Sequence, residues 1–172
     1  MNLQKFIINI KADIKANSGN SKGLFIVLAY RIAHFCNHLS RQNFILRILL
    51  LPVSVIYKIV VDYIMGIYIP AETIIGRGLI VYHGYGLVVH PSTVIGNYCT
   101  LRHGVTIGSK DGSEFDVPKI GSGVSIGAMT VIIGNITIGD RVTVGACSLV
   151  HRSVPAEITV FGNPAVPRNR VT

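Results

Sequence analysis

The chain has 172 residues, 49% of them hydrophobic, with 18 glycines and no tryptophan, and its formal net charge is +8. This composition excludes an intrinsically disordered protein, and the length suits one cored domain with a helical appendage. The charge is concentrated in residues 1–58, where eight Lys and Arg residues stand against one acid, Asp13, for a net charge of +7. Such a segment fits solvated helix faces, an anionic membrane surface or an acidic carrier-linked substrate.

Two further classes of protein are disfavoured by the residue pattern. The basic residues are scattered among aliphatic ones without a groove-reading motif, so we expect no nucleic acid partner. Cys36, Cys99 and Cys147 form no CxxC pair, and an odd number of cysteines argues against a secreted disulfide framework. Because the start of the chain shows no signal-peptide pattern, we expect a cytoplasmic protein with buried thiols.

Residues 1–66 are predicted to form an α-helical region. Helical spacing places apolar residues on one face of residues 2–16 and in a buried stripe of residues 22–38, namely Leu3, Phe6, Ile7, Ile10 and Ile14 in the first and Leu24, Leu28, Ile32 and Phe35 in the second. His34 and His38 lie four residues apart, but the nearby Cys36 is on a different helix face. We therefore expect no metal site.

Residues 43–69 are the most apolar stretch of the chain. Arg47, Lys58 and Asp62 interrupt it, so no uncharged run reaches the roughly 18–20 residues that a membrane-spanning helix needs. We expect this stretch to pack against the following domain or a neighbouring subunit. Peripheral contact with a membrane surface, helped by the basic charge, is the alternative.

A six-residue repeat defines the next domain, predicted to span residues 67–154. Its most regular part has an aliphatic residue at every sixth position, namely Ile120, Ile126, Ile132, Ile138, Val144 and Val150. A period of six fits neither an α-helix nor an alternating strand, but it is typical of a parallel β-helix. The predicted fold class is mainly β, a parallel β-helix of hexapeptide repeats preceded by the α-helical segment. Residues 155–172 are predicted to form a C-terminal loop or tail.

The repeat is interrupted twice, and irregular positions in a repeat are where function is added. The aliphatic positions Ile69, Ile75 and Val81 are followed by Val89, two residues out of step, so the slip falls in residues 83–88. The second interruption, residues 109–119, is polar and contains glycine, which predicts a loop leaving the coil.

His83 lies within the slip, and an imidazole can take a proton from a hydroxyl or an amine near neutral pH. His103 follows 20 residues later. This separation equals one turn of roughly 18 residues plus the slip, so the two histidines are predicted to stack on adjacent turns. They are candidates for a catalytic pair; alternatively, His103 binds substrate, or the two form only a surface ladder.

Three segments carry a resemblance to a known family: GRGLIVYHGYGLVVHPSTVIGNYCTLRHGVTIGS at 76–109, AYRIAHF at 29–35 and FGNPAVP at 161–167. Together they resemble the left-handed β-helix acyltransferases. The similarity is greatest to the serine acetyltransferase branch and, within it, to the colanic-acid and capsule O-acetyltransferases. It covers roughly residues 22–168.

The resemblance implies a left-handed coil, a homotrimer and acetyl-CoA bound in clefts between neighbouring coils. It implies that His83 is the general base. It also implies that Gly108, Ala128 and Ala146 line the pantetheine groove, that Asn163 and Pro164 belong to a C-terminal loop closing over the cofactor, and that Arg168 and Arg170 meet its phosphates.

The departures from the serine acetyltransferase pattern concern the acceptor. Tyr82 stands where that branch has an acidic residue before the base, and Asp116 and Val117 stand where it has Arg and His that hold the amino acid. Without that cation the carboxylate of serine is left unpaired. Tyr82, Tyr85, His103 and Asp116 are predicted to bind a sugar hydroxyl instead. The group that orients His83 is left open between Glu72 and a backbone carbonyl.

The predicted function is an acetyl-CoA-dependent O-acetyltransferase acting on a sugar of a surface polysaccharide or its lipid-linked precursor. Two alternatives remain. The first is a serine O-acetyltransferase, and the second is a non-catalytic β-helix scaffold that docks a partner through its basic helices.

Overall fold

Residues 2–168 are described by the computed structural model, and three helices come first. They are α1 (Leu3–Ala16), α2 (Ser21–Ser40) and α3 (Phe44–Tyr57), and a π-helical stretch at Lys58–Ile64 extends α3. Each α-helix begins after an asparagine whose side chain accepts a hydrogen bond from a backbone N–H in the first turn; these residues are Asn2, Asn20 and Asn43.

Short strands follow the helices. They are β1 (Ile74–Ile75), β2 (Ile80–Tyr82), β3 (Val88–Val89), β4 (Val94–Ile95), β5 (Thr100–Arg102), β6 (Thr106–Gly108), β7 (Lys119–Ile120), β8 (Ser125–Ile126), β9 (Val131–Ile133), β10 (Thr137–Ile138), β11 (Thr143–Val144), β12 (Leu149–Val150), β13 (Thr159–Gly162) and β14 (Ala165–Pro167).

From β1 to β12 every third strand pairs in parallel, and β13 pairs with β11, which produces a coil with three faces. The first face contains β1, β4, β7 and β10, and the third contains β3, β6, β9 and β12. The second face contains β2, β5, β8, β11 and β13, with β14 added antiparallel to β13. The predicted parallel β-helix with preceding helices is therefore confirmed.

The six-residue positions supply the core of the coil. Ile120, Ile126, Ile132, Ile138, Val144 and Val150 are each no more than 4% exposed. Because Ile126 pairs with Val144, one regular turn takes 18 residues. The earlier pairing of Val81 with Leu101 takes 20 residues, so the two-residue slip is accommodated within one turn.

Gly127 marks a corner where the backbones of adjacent turns meet. A Cβ atom added there would lie 2.6 Å from the carbonyl carbon of Gly145 and 2.7 Å from Cα of Ala146. Because backbone atoms cannot move aside cheaply, we expect Gly127→Ala to reduce the free energy of unfolding by about 1–3 kcal/mol. Gly108→Ala is the matched control, since an added Cβ at Gly108 meets nothing within 4 Å. Urea unfolding followed by circular dichroism measures both, and equal midpoints would contradict the corner-packing argument.

The helices cap the first turn of the coil. Backbone carbonyls in the first turn of a solenoid have no preceding turn to bind them, and an open edge invites unwanted pairing. Here helix side chains donate to them: Tyr57 to Ile69 O (2.6 Å), His34 to Ala71 O (2.7 Å), Tyr30 to Thr73 O (2.6 Å), Arg31 to Ile75 O (2.7 Å) and to Gly76 O, Asn17 to Leu79 O (2.7 Å) and Asn20 to Val81 O (3.0 Å).

Asp13 also belongs to this cap, as an acceptor for the first turn and as the counter-ion of Arg31. Its carboxylate accepts from Arg31 Nε at 2.7 Å and from the backbone N–H groups of Gly78 and Leu79 at 2.7 and 3.1 Å. Both Asp13 and Arg31 are buried. The ion pair therefore joins α1, α2 and the first turn of the coil.

Because the helices cap the coil with polar side chains, some apolar residues that were predicted to be buried are exposed. In α1 the buried residues are Asn9 and Asp13, whereas Leu3, Ile7 and Ile14 are exposed. In α2 the buried apolar residues are Ile26, Val27, Tyr30, Ala33 and Cys36, so the predicted stripe containing Ile32, which is exposed, was wrong. Of the three cysteines expected to be buried, Cys36 and Cys99 are buried but Cys147 is exposed.

His34 makes the cap sensitive to acid. Burial lowers the pKa of His34 below its usual value, although its hydrogen bond to Ala71 O acts in the opposite direction. The unfolded chain therefore binds more protons at His34 than the folded chain does. The free energy of unfolding then decreases as the pH falls through the ordinary pKa of histidine. We expect His34→Gln, which keeps a donor for Ala71 O, to lose less stability than the wild type between about pH 7 and pH 5. The comparison is urea unfolding at both pH values. The exposed His151→Gln variant should follow the wild type, and the same behaviour in His34→Gln would remove His34 as the cause.

Candidate active site

One corner of the coil aligns most of the predicted site residues. The strand register continues beyond β2, β5, β8, β11 and β13 into the corner between the second and third faces. Residues in equivalent positions there are His83, His103, Ala128, Ala146 and Gly162, which we call the site edge. With adjacent turns about 4.8 Å apart, the site edge is about 19 Å long.

His83 occupies the end of the site edge nearest the helices. Its φ is 65°, and the N–H of Gly84 donates to the carbonyl oxygen of Tyr82 at 2.8 Å, so the chain turns sharply at His83. A histidine in the left-handed region is uncommon, and such backbone strain is concentrated at functional sites. The turn leaves the imidazole exposed at the corner.

The rings of His83 and His103 lie in contact on adjacent turns, as the 20-residue spacing predicts. Their centroids are 6.0 Å apart and their planes meet at 72°, an edge-to-face arrangement. Within residues 2–168 no hydrogen bond holds the His83 side chain. Glu72, one of the two groups considered for that task, instead lines a cavity of about 360 Å³ with Lys58 and Asp62 beneath α3. The ring contact with His103 is the side-chain interaction found for His83 in residues 2–168.

Two aromatic side chains flank His83, and each has a cation over its ring. Lys22 Nζ lies 3.4 Å from the ring centroid of Tyr85, and the Arg102 guanidinium lies 5.7 Å from that of Tyr82. Arg102 is fixed by hydrogen bonds from Nη1 to Ser125 Oγ (3.3 Å) and Ile126 O (3.1 Å). Cation–π contacts of this kind hold the aromatic faces in place and give the corner positive charge.

Sequence reasoning missed both cations. The 20-residue turn that pairs His83 with His103 also pairs Tyr82 with Arg102, so the register contained a signal for Arg102. Lys22 belongs to α2, and its position depends on how the helix packs on the coil, which no repeat spacing encodes.

The predicted cofactor residues divide between two corners. Ala128 and Ala146 follow the histidines on the site edge, and their side chains are small. Asn163 and Pro164 form the exposed turn of the β13–β14 hairpin, directly after Gly162. Arg168 follows the hairpin and is exposed, whereas Arg170 lies outside the described residues. Gly108 pairs with Ile133 at the end of the third face, so it lies at a different corner.

Asp116 also lies away from the site edge of its own chain. It belongs to the loop that follows β6, beside Gly108. Its carboxylate accepts from the backbone N–H groups of Lys110 (3.0 Å) and Asn135 (2.7 Å), which fixes the loop against the next turn. A single chain therefore does not bring Asp116 to His83. A role in acceptor binding remains a prediction that requires a neighbouring subunit.

Side chains that could bind a metal ion are not clustered in the described part of the chain. No group of three or more His, Cys, Asp or Glu residues there is arranged to hold a metal ion. His34 donates to the coil edge and His38 lies 3.3 Å from Gln42 Nε2, so this helical pair is occupied by other contacts.

Comparison with known proteins gives the family. Residues 118–152 match the family described as Bacterial transferase hexapeptide (six repeats). The chain is 41% identical over 153 residues to the putative colanic acid biosynthesis acetyltransferase WcaB of Escherichia coli (strain K12), covering 89% of this chain and 94% of that protein.

Solved structures agree with the sequence comparison. The apoenzyme of soybean serine acetyltransferase is 32% identical with a TM-score of 0.82, and the match covers 96% of this chain and 69% of that one. Serine acetyltransferase from Brucella abortus strain S19 in complex with coenzyme A is 30% identical with a TM-score of 0.78, covering 96% of this chain and 68% of that one. The chain belongs to the hexapeptide-repeat acetyltransferases.

Proposed function

We propose that this protein transfers the acetyl group of acetyl-CoA to a sugar hydroxyl of a surface polysaccharide or its precursor, in the cytoplasm. The observation that carries the proposal is the site edge, which places an exposed histidine in line with the small residues Ala128, Ala146 and Gly162 along one corner of the coil. The similarity to WcaB, whose name assigns it to colanic acid biosynthesis, supports a glycan acceptor.

His83 acts as the general base in this reaction. Its imidazole takes the proton of the acceptor hydroxyl while the oxygen attacks the thioester carbonyl carbon. The carbon–sulfur bond then breaks, and the imidazolium returns the proton to the departing CoA thiolate. The products are an acetyl ester and free CoA, and His83 ends in its starting state.

Acetyl-CoA is the donor. Ala128 and Ala146 accommodate the pantetheine arm along the site edge, and Asn163 and Pro164 close the far end. The Brucella serine acetyltransferase solved with coenzyme A supports a binding site for this donor in the shared fold. Gly108 and Asp116 occupy another corner of the same chain, which supports a homotrimer in which a neighbouring subunit completes the cleft.

The acceptor side favours a sugar over serine. Asp116 and Val117 occupy the positions where the serine acetyltransferase branch is expected to hold the amino acid. Asp116 is acidic and its carboxylate binds two backbone donors, while Val117 is buried. Neither can pair with a carboxylate. Tyr82 and Tyr85 each have a cation over one ring face, and the opposite face suits the apolar side of a sugar.

The test is an acceptor panel with purified protein and acetyl-CoA, in which release of the CoA thiol is measured. We expect release with a de-O-acetylated glycan or sugar acceptor and none above the His83→Asn background with L-serine. Release with serine and with no glycan would overturn the sugar assignment.

Serine O-acetylation is the second candidate, and the TM-score of 0.82 to soybean serine acetyltransferase is the observation that favours it. The same panel separates the two, because a serine acetyltransferase must saturate with serine.

A further inference from the structure

We propose that the outward face of α3 and its π-helical extension, Phe44–Ile64, docks this protein on an anionic lipid membrane, with the helix lying in the interface. The docking surface is separate from the site edge, and the proposal does not depend on which acceptor is acetylated.

The helix that carries this surface, Phe44–Ile64, is apolar and mostly exposed. The most apolar 18-residue window of this 21-residue helix has a mean hydropathy of 2.3, and 11% of that window is buried. By length and composition alone it is a candidate membrane span. Side chains that are more than half exposed along it include Phe44, Ile45, Leu49, Ile56, Tyr63 and Ile64. Contiguous exposed apolar surface of this kind marks an interaction site.

The inward side of the same helix is already satisfied. Tyr57 donates to Ile69 O and, with Val61, is buried against the coil and α2. The other helices cap the first turn with polar side chains. The outward apolar residues of Phe44–Ile64 therefore have no packing role in the fold of this chain. Their exposure follows from the way that the helices meet the coil.

The charge of the helical region selects an anionic surface as the occupant. Arg31, the buried basic residue of residues 1–58, is paired with Asp13, the one acid in that segment. The remaining cations, Lys5, Lys11, Lys15, Lys22, Arg41, Arg47 and Lys58, are exposed or half-buried. Each such cation near an anionic bilayer adds to the attraction. A second copy would bring the same uncompensated positive charge to the contact, and like charges repel.

The positions of the charges favour lying on the membrane over crossing it. Arg47 and Lys58 are eleven residues apart, about three helical turns, so they lie on the same side of α3. A helix in the interface keeps them at the polar boundary while the opposite side enters the acyl region. A spanning helix would have to place Arg47, Lys58 and Asp62 at or within the hydrocarbon, which is costly.

Docking would also place the site near lipid. His83 lies at the first turn of the coil, the turn that the helices cap, and His103 at the second. If the proposed sugar acetylation holds, this arrangement suits an acceptor carried on a membrane lipid. This last step rests on the proposed function, whereas vesicle binding does not.

The test is co-sedimentation of the full chain with vesicles of phosphatidylglycerol and phosphatidylethanolamine, without acetyl-CoA or acceptor. We expect binding at low salt, weaker binding to pure phosphatidylcholine vesicles, and at least about a tenfold loss in the double variant Leu49→Glu/Ile56→Glu. Ile74→Glu is the matched control, since Ile74 is 61% exposed on the coil and Ile56 is 60% exposed on the helix. Arg47→Glu/Lys58→Glu should lose about tenfold or more, whereas the exposed Arg152→Glu should not.

Three outcomes would overturn the proposal. The first is that the wild type fails to bind anionic vesicles at low salt. The second is that Leu49→Glu/Ile56→Glu binds as well as Ile74→Glu. The third is that the bound protein resists alkaline carbonate extraction, which would show a spanning helix. If vesicle binding fails and the apolar double variant reduces the size of the soluble particle, the face instead covers a second copy. Circular dichroism confirms that each variant is folded, and the acetyl-transfer assay is independent of all these readouts.

Discussion

We expect His83→Asn to lower kcat for acetyl transfer by about 10²–10⁴-fold, while acetyl-CoA binding is retained. The loss corresponds to removal of a positioned general base from a hydroxyl that is a poor nucleophile in its protonated form. The Ala128 and Ala146 part of the site edge is untouched by the substitution, so the dissociation constant for acetyl-CoA should change little. Stopped-time assays of CoA release and calorimetry with CoA measure the two quantities.

Asparagine is the appropriate replacement because His83 has φ 65°. Asn adopts the left-handed region more readily than Ala, so the turn at Gly84 is kept and the base alone is lost. His90→Asn is the control, since His90 lies outside the site edge and its Nδ1 accepts from Ser92 N at 3.2 Å. If His83→Asn kept most of the wild-type kcat, the base would have to be another residue.

We expect Asp13→Ala to reduce the free energy of unfolding by about 3–5 kcal/mol. The substitution leaves the buried Arg31 guanidinium without its counter-ion and removes the acceptor for the backbone N–H groups of Gly78 and Leu79. The first turn of the coil then loses the hydrogen bonds through which Asp13 joins it to α1. Equilibrium urea unfolding followed by circular dichroism gives the change directly.

The control for Asp13 is an ion pair in a different environment. Arg141 and Glu157 also pair, but their side chains are 67% and 62% exposed, so Glu157→Ala should leave unfolding unchanged. The double variant Asp13→Leu/Arg31→Met should not recover the wild-type stability. Arg31 binds the carbonyls of Ile75 and Gly76, and Asp13 binds two N–H groups, so removing both side chains leaves the coil edge open. Full recovery would show that the pair acts only through its own charges.

The coil could be predicted from sequence because its packing is local and periodic. Each aliphatic residue from Ile120 to Val150 occupies an equivalent inward position, so the spacing alone identifies the buried side chains. The slip at residues 83–88 was predictable for the same reason. Counting residues around one turn was enough to place His83 beside His103, and the ring contact confirms it.

The helices could not be oriented by the same reasoning. An amphipathic pattern predicts that the apolar face is inward, which assumes that the helix packs on an apolar surface. Here the surface is the open edge of a coil, whose carbonyls need donors, so Asn17, Tyr30 and Arg31 face inward. A stripe of polar side chains with helical spacing was the available signal. It is recognisable only once the partner surface is known to be a strand edge.

The candidate site was predictable only in part. The corner shared by His83, His103, Ala128 and Ala146 follows from the register, whereas Gly108 and Asp116 belong to another corner. Proximity in sequence suggested Glu72 as a partner for His83, but three-dimensional packing places it beneath α3. Residues that act together across subunits cannot be grouped by spacing within one chain.

The O-acetyl content of the surface polysaccharide is the most direct test of the central claim, that this protein acetylates a sugar hydroxyl with His83 as the general base. It can be measured by nuclear magnetic resonance on glycan from cells that lack this protein. We predict loss of O-acetyl signals, restored by the wild-type chain and not by His83→Asn. Unchanged O-acetylation, together with a loss of O-acetylserine in the same cells, would contradict the account.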